Sequence, residues 1–126
     1  MYTVPKANFE KVQNAIKQPS IILLINTLPE NQQDCLIQNT IVACKEEEVM
    51  NKYLQLNQKN IQIILYGKND NDESVYKKYK QLLKLGFANV QIYMGGMFEW
   101  LLLQDIYGYE TFMTTKRELD FLKFKP

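Results

Sequence analysis

The chain contains no histidine. That absence excludes Ser-His-Asp and Cys-His catalysis, and with them the usual zinc sites, which draw on imidazole. Cysteine is nearly as scarce. Cys35 and Cys44 are the two present, too few for a disulfide framework, and an intracellular chain keeps such thiols reduced. No apolar run approaches the length needed to span a bilayer. Residues 1–17 lack the charged-then-apolar pattern of a secretory signal. Neither sign of charge prevails: 15 basic against 14 acidic residues leave a net charge of +1. No global field therefore draws the protein to nucleic acid or to an anionic membrane. The expectation is a soluble, cytoplasmic protein with neither kind of partner.

What is present has the balance of a globular domain. The 126 residues are 46% hydrophobic and 23% charged, enough for one sizeable core. No repeat, low-complexity stretch or linker divides them, so residues 1–126 are expected to form a single domain.

Two hydrophobic periods alternate along the chain. Asn8 can cap a short helix with Phe9, Val12, Ala15 and Ile16 on one face. Ile21 to Ile25 is a continuous apolar run, the mark of a strand buried on both sides. A polar loop follows to Gln33, and Thr40 to Ala43 reads as a second short strand. Glu46, Glu47 and Glu48 then open a helix carrying Val49, Met50, Tyr53 and Leu54, with the acids complementing the positive end of its dipole. Ile61 to Tyr66 is the clearest strand. After the polar loop from Gly67 to Asp72, a helix runs from about Glu73 to Leu85, with Val75, Tyr79, Leu82 and Leu83 inward. Gly86 fits its stop and Phe87 the accompanying apolar contact. Val90 to Tyr93 is another strand, Gly95-Gly96 a tight turn, and Met97 to Tyr107 an apolar helix ended by Gly108. Thr114 or Thr115 can cap a last helical segment through Leu122. Strands alternating with helices predict an α/β fold with a mainly parallel sheet of about five short strands, covered on both faces. Ligands of such sheets sit beyond the carboxyl ends of the strands, which here include the loop after Tyr66 and the Gly95-Gly96 turn.

Three segments resemble the rhodanese homology domain. Ile22-Leu23-Leu24-Ile25-Asn26 is similar to its early "LIDVR" strand, with Asn26 for the aspartate. Cys35 to Ile41 is similar to "GHIPGAI", with Leu36 for the histidine and Gln38 for the proline. Leu85-Gly86-Phe87-Ala88-Asn89-Val90, followed by Gly95-Gly96 and Trp100, resembles the closing "LGF-NV…GG…W" signature. The likeness implies a rhodanese-like three-layer sandwich over residues 9–107 and a C-terminal extension over 108–126.

The resemblance also implies where the reactive sulfur belongs. The family's active loop begins with a cysteine directly after the central strand, in a "YC…R" pattern. Here the loop reads Tyr66-Gly67-Lys68-Asn69-Asp70-Asn71-Asp72, and Gly67 occupies the cysteine position. Persulfide transfer needs a thiolate, which glycine does not supply. The charge balance of the loop points the same way. Lys68 stands against Asp70, Asp72 and Glu73, so an anionic substrate would meet like charge at a cost of about 1 kcal/mol even when solvent-exposed.

The remaining candidates divide between packing and chemistry. Cys35 and Cys44 could serve a persulfide carrier or redox sensor, but two small half-buried residues is the plainer reading. Asp70, Asp72 and Ser74 alternate as in a calcium loop, yet Val75 and Gln81 stand where that motif needs Gly and Glu, so no metal is expected. Asp72 is a good helix cap, and Asn69 and Asn71 suit positive φ. Met94, Met97 and Phe98, together with Tyr109 and Phe112 of the tail, form a possible interaction surface, with core packing as the competing role. The tail is too aromatic for a disordered end; it covers its own sheet or docks on another subunit. The function expected is a non-catalytic protein-interaction, assembly or regulatory module without a cofactor. Its partner would be another protein or a second copy, and a virion-associated structural role falls in the same class. The alternative is sulfur transfer through Cys35 or Cys44. Whether the loop takes a small molecule is left open.

Overall fold

A computed structural model of the chain describes residues 4–126. Five strands form one sheet: β1 (Lys6–Ala7), β2 (Ile22–Asn26), β3 (Thr40–Ile41), β4 (Gln62–Tyr66) and β5 (Val90–Tyr93). Their order is β1-β5-β4-β2-β3 and every pairing is parallel. The two edge strands are only two residues long. Three helices connect strands, α1 (Phe9–Lys17), α2 (Ala43–Gln55) and α3 (Ser74–Lys84), and a fourth, α4 (Gly96–Tyr107), follows β5.

Alternation along the strands divides the core in two. Leu23 and Ile25 of β2 and Ile63 and Leu65 of β4 face Met50 of α2 and Val75, Tyr79 and Leu82 of α3. Ile22, Leu24, Ile64 and Tyr66 point the other way, against Val12, Ala15 and Ile16 of α1 and Met97, Trp100 and Leu101 of α4. A period of two in the strands and three to four in the helices produces a helix–sheet–helix sandwich.

Local chemistry sets most boundaries. The Asn8 side chain accepts the Lys11 N–H at 3.0 Å and starts α1. Gly86 adopts φ +106°. The N–H of Phe87 then reaches the Leu82 carbonyl, and that of Gly86 the Leu83 carbonyl. This paired closure satisfies carbonyls orphaned at the end of α3.

Several expectations are corrected. Helix α2 begins at Ala43, not at the glutamates, and its N-cap Val42 makes no side-chain bond. Cys44 therefore lies in the first turn of a helix rather than at the end of a strand. Leu83 is 37% exposed rather than inward, because the inward stripe of α3 runs Val75, Tyr79, Leu82. Neither Thr114 nor Thr115 caps a helix. Thr114 instead pairs antiparallel with Ile37, and the last helical turn is a short 3-10 segment, Phe121–Phe124, entered from Asp120.

The tail folds back over its own domain. Phe112 and Phe124 are buried in the α1–α4 layer. Trp100 donates its indole N–H to the Met113 carbonyl at 3.1 Å, and Gln104 donates to the Phe112 carbonyl at 2.7 Å. Gln38 and Thr115 add backbone bonds between the tail and residues 36–38.

Candidate functional site

All five strands run in one direction, so their carboxyl ends share one edge. The chain leaves β2 for β3 on one side and returns to β4 on the other, which opens a crevice between the ends of β2 and β4. Asn26-Thr27 and Tyr66-Gly67 border it, and the N–H of Thr27 bonds the Tyr66 carbonyl at 2.9 Å.

The loop after β4 closes on itself. Asp72 turns its carboxylate inward, accepting the Lys68 N–H at 2.9 Å on one oxygen. The other oxygen accepts the Ser74 N–H at 3.0 Å and the Ser74 hydroxyl at 2.6 Å. Three donors that could hold a bound anion are thereby held by a carboxylate of the chain itself. A side chain at Gly67 requires its neighbours to shift. A β-carbon there would strike the Asp72 carboxylate and lie 2.7 Å from Val75 Cγ2.

The neighbouring turn is stitched to the same loop. The N–H groups of Met97 and Phe98, in the first turn of α4, bond the carbonyls of Gly67 and Lys68 at 3.0 and 2.9 Å. Donors normally orphaned at a helix start are thus used inside the protein. Asn69 and Asn71 do not take positive φ; Asn39 and Asn57 do. Asn69 is used differently. Its Oδ1 accepts the Asn71 N–H at 2.8 Å, and its Nδ2 donates to the Phe124 carbonyl at 2.8 Å. The tail is tied to the loop by that bond.

The remaining candidate residues separate. Met97 and Phe112 lie in the core, so neither side chain is on the surface; Met97 sits on a helix that is apolar nearly all round, and Phe112 of the tail packs on Trp100. Met94, Phe98 and Tyr109 are half-buried, and Met94 accepts the Tyr76 hydroxyl at 3.6 Å through sulfur. Cys35 is buried and donates its thiol to the Lys116 carbonyl at 3.1 Å. Burial pushes that thiol up from its ordinary value, against the pull of the Thr114 hydrogen bond. Cys44 is exposed. Among the described residues no three His, Cys, Asp or Glu side chains are grouped to hold a metal ion, and no helix is long and apolar enough to cross a membrane.

Tyr66 carries a role that periodicity does not reveal. Its hydroxyl accepts the Ile37 N–H at 3.1 Å and bonds Thr40 Oγ1 at 2.8 Å, deep beneath residues 35–41. Burial raises the Tyr66 phenol strongly, with the Thr40 bond opposing. Burial also raises that of Tyr93, where the Glu99 carboxylate adds to the rise. These shifts have a consequence at alkaline pH. Tyr66, Tyr93 and Cys35 hold their protons in the fold beyond the pH at which the unfolded chain releases them. Their contribution is complete below about pH 9, the ordinary value of the thiol. It is lost as pH rises past the ordinary phenol value of 10 and on through the raised folded values. Urea midpoints measured from neutral pH to about pH 10.5 should therefore fall, most steeply at the top of the range. A flat series would contradict it.

A parallel sheet sheathed by helices, with its designated loop at the crevice between β2 and β4, defines a domain of the rhodanese class. The chain belongs to the rhodanese-like domain family, whose model matches residues 8–103. Solved structures agree. The Alr3790 protein from Anabaena sp. superposes with a TM-score of 0.62 at 19% identity, over 91% of this chain and 83% of that one. The BH2092 protein from Bacillus halodurans gives 0.62 at 22% identity, over 83% and 74%. RDL2, a single-domain sulfurtransferase from Saccharomyces cerevisiae, gives 0.59 at 19% identity, over 85% and 97%. At these identities the likeness is one of fold. No curated protein sequence matches the chain.

Proposed function

We propose that this protein is a non-catalytic rhodanese-like domain that serves as a protein-interaction, assembly or regulatory module. In this reading Gly67 stands where the family places its sulfur-carrying cysteine. The carrying observation is the inward carboxylate of Asp72, bound by the Lys68 and Ser74 N–H groups and the Ser74 hydroxyl. An anionic substrate needs those donors, and it would have to displace a fixed negative charge to reach them. The thiols do not compensate. Cys35 is buried, bonded to a carbonyl and shifted away from thiolate, the reverse of what a sulfur nucleophile requires. Cys44 sits on the outer surface of α2.

The test is transfer of sulfur from thiosulfate to cyanide by the purified chain. The expected rate equals the uncatalysed background, and Gly67→Cys does not raise it. That variant is also less stable, because its side chain meets Asp72 and Val75. Turnover by the natural sequence that disappears in Cys35→Ser or Cys44→Ser would refute the proposal.

A further inference from the structure

A concavity runs from the crevice along α2 and α3, sharing Asn26 and Thr27 with the crevice border and Ser74 with the loop. It has a volume of about 740 Å³ and lies between α2 and α3, within the range of small-ligand sites. Thr27 and Ser74 stand at its head, at the carboxyl end of the sheet, Met50 and Leu82 close its floor as part of the core, and Leu85 supplies exposed apolar surface. Its two walls carry opposite charge. The α2 wall presents Glu46 and Glu47, and the α3 wall presents Lys77 and Lys78.

One pair of these charges is already matched. Lys78 Nζ meets Glu46 Oε2 at 2.5 Å, joining α3 to α2. Glu47 and Lys77 form no ion pair among the described residues, and both are exposed. The groove therefore offers one unmatched anion and one unmatched cation, on opposite walls, with apolar surface between them.

Resting on the reading of this domain as a binding module, we propose that the α2–α3 groove takes a zwitterionic ligand of short-peptide size. Its carboxylate faces Lys77, its ammonium faces Glu47 and an apolar side chain lies on Leu85, the exposed leucine that ends the α3 wall. A ligand of single charge would complement one wall and be repelled by the other. A neutral one would leave both charges unmatched. Only a molecule carrying both signs satisfies the two walls at once.

The probe is the dipeptide Leu-Leu, titrated into the full chain at concentrations up to about 10 mM, a range that registers weak millimolar binding. Amide shifts are followed by heteronuclear NMR. The expected result is saturable shifts confined to residues of α2 and α3 that line the groove. Affinity should fall at least tenfold for the N-acetylated and C-amidated dipeptides, each lacking one charge, and likewise for Lys77→Ala and Glu47→Ala. Both substituted residues are exposed and unpaired, so the variants should keep the fold, which the same spectra verify. Absence of saturable shifts would overturn the inference. So would equal binding of free and blocked dipeptides, or shifts centred outside the groove. These results leave the sulfur-transfer assay untouched, so loss of the groove ligand and loss of the non-catalytic reading remain distinct.

Discussion

Replacing Trp100 by alanine is expected to lower the unfolding free energy by about 3–5 kcal/mol, the range for removing a large buried aromatic. Trp100 is fully enclosed. It meets Phe112 edge-on at 5.0 Å between ring centres and Tyr93 edge-on at 6.2 Å. It therefore joins the sheet, α4 and the folded-back tail, and its removal would leave a cavity bounded by all three. Trp100→Phe should recover most of the loss. The remainder is a hydrogen bond to Met113, worth on the order of 1 kcal/mol. Chemical denaturation of the two variants against the natural sequence measures both differences. A loss below about 1 kcal/mol for the alanine variant would show that the tail does not pack on α4 as described.

Gly96→Ala is the second substitution with a large expected effect, about 2–4 kcal/mol of destabilisation. Gly96 has φ +63°, and a β-carbon there would lie 2.5 Å from the Gly67 carbonyl oxygen and 2.9 Å from the Asn69 nitrogen. Those neighbours are backbone and cannot rotate away. Gly108 is the natural control. Its φ is +108°, but a β-carbon there would meet nothing within 4 Å. Gly108→Ala should cost only the conformational part, about 1–3 kcal/mol for backbone that glycine alone adopts readily. Equal losses at the two positions, read from the same denaturation curves, would mean that the approach of α4 to the β4 loop is not what makes Gly96 necessary.

Features written in short-range chemistry were readable before any coordinates. β5 covers the expected residues, Asn8 caps α1, and Gly86 with Phe87 closes α3, because each depends on neighbours within one turn of chain. The parallel sheet was readable from alternation of periods. The start of α2 was not: Val42 is an N-cap without a capping side chain, and the glutamates that begin four residues on carried a stronger but misleading signal. The tail's path was also hidden. Thr114 has the makings of a cap, but its backbone pairs with Ile37, 77 residues earlier, and no local pattern announces such a partner. The loop after β4 fell between these cases. Its acidic character and the absence of a side chain at Gly67 were plain in the sequence. That Asp72 would turn inward and take the donors of its own loop was anticipated only as a helix-capping tendency. The α2–α3 groove has no signature in the sequence, because its opposing walls come from helices some thirty residues apart.

The brevity of β1 and β3 decides how this molecule can be gripped. A partner that adds a strand to a sheet needs a row of unpaired amides and carbonyls along an edge. Here each border of the sheet is two residues long among the described residues, and the chain turns into helix or loop at once. Backbone zippering, with its risk of runaway stacking, finds almost no template. Under the proposed binding role, recognition falls to side chains on the helical faces, where single substitutions can weaken one contact without disturbing the sheet.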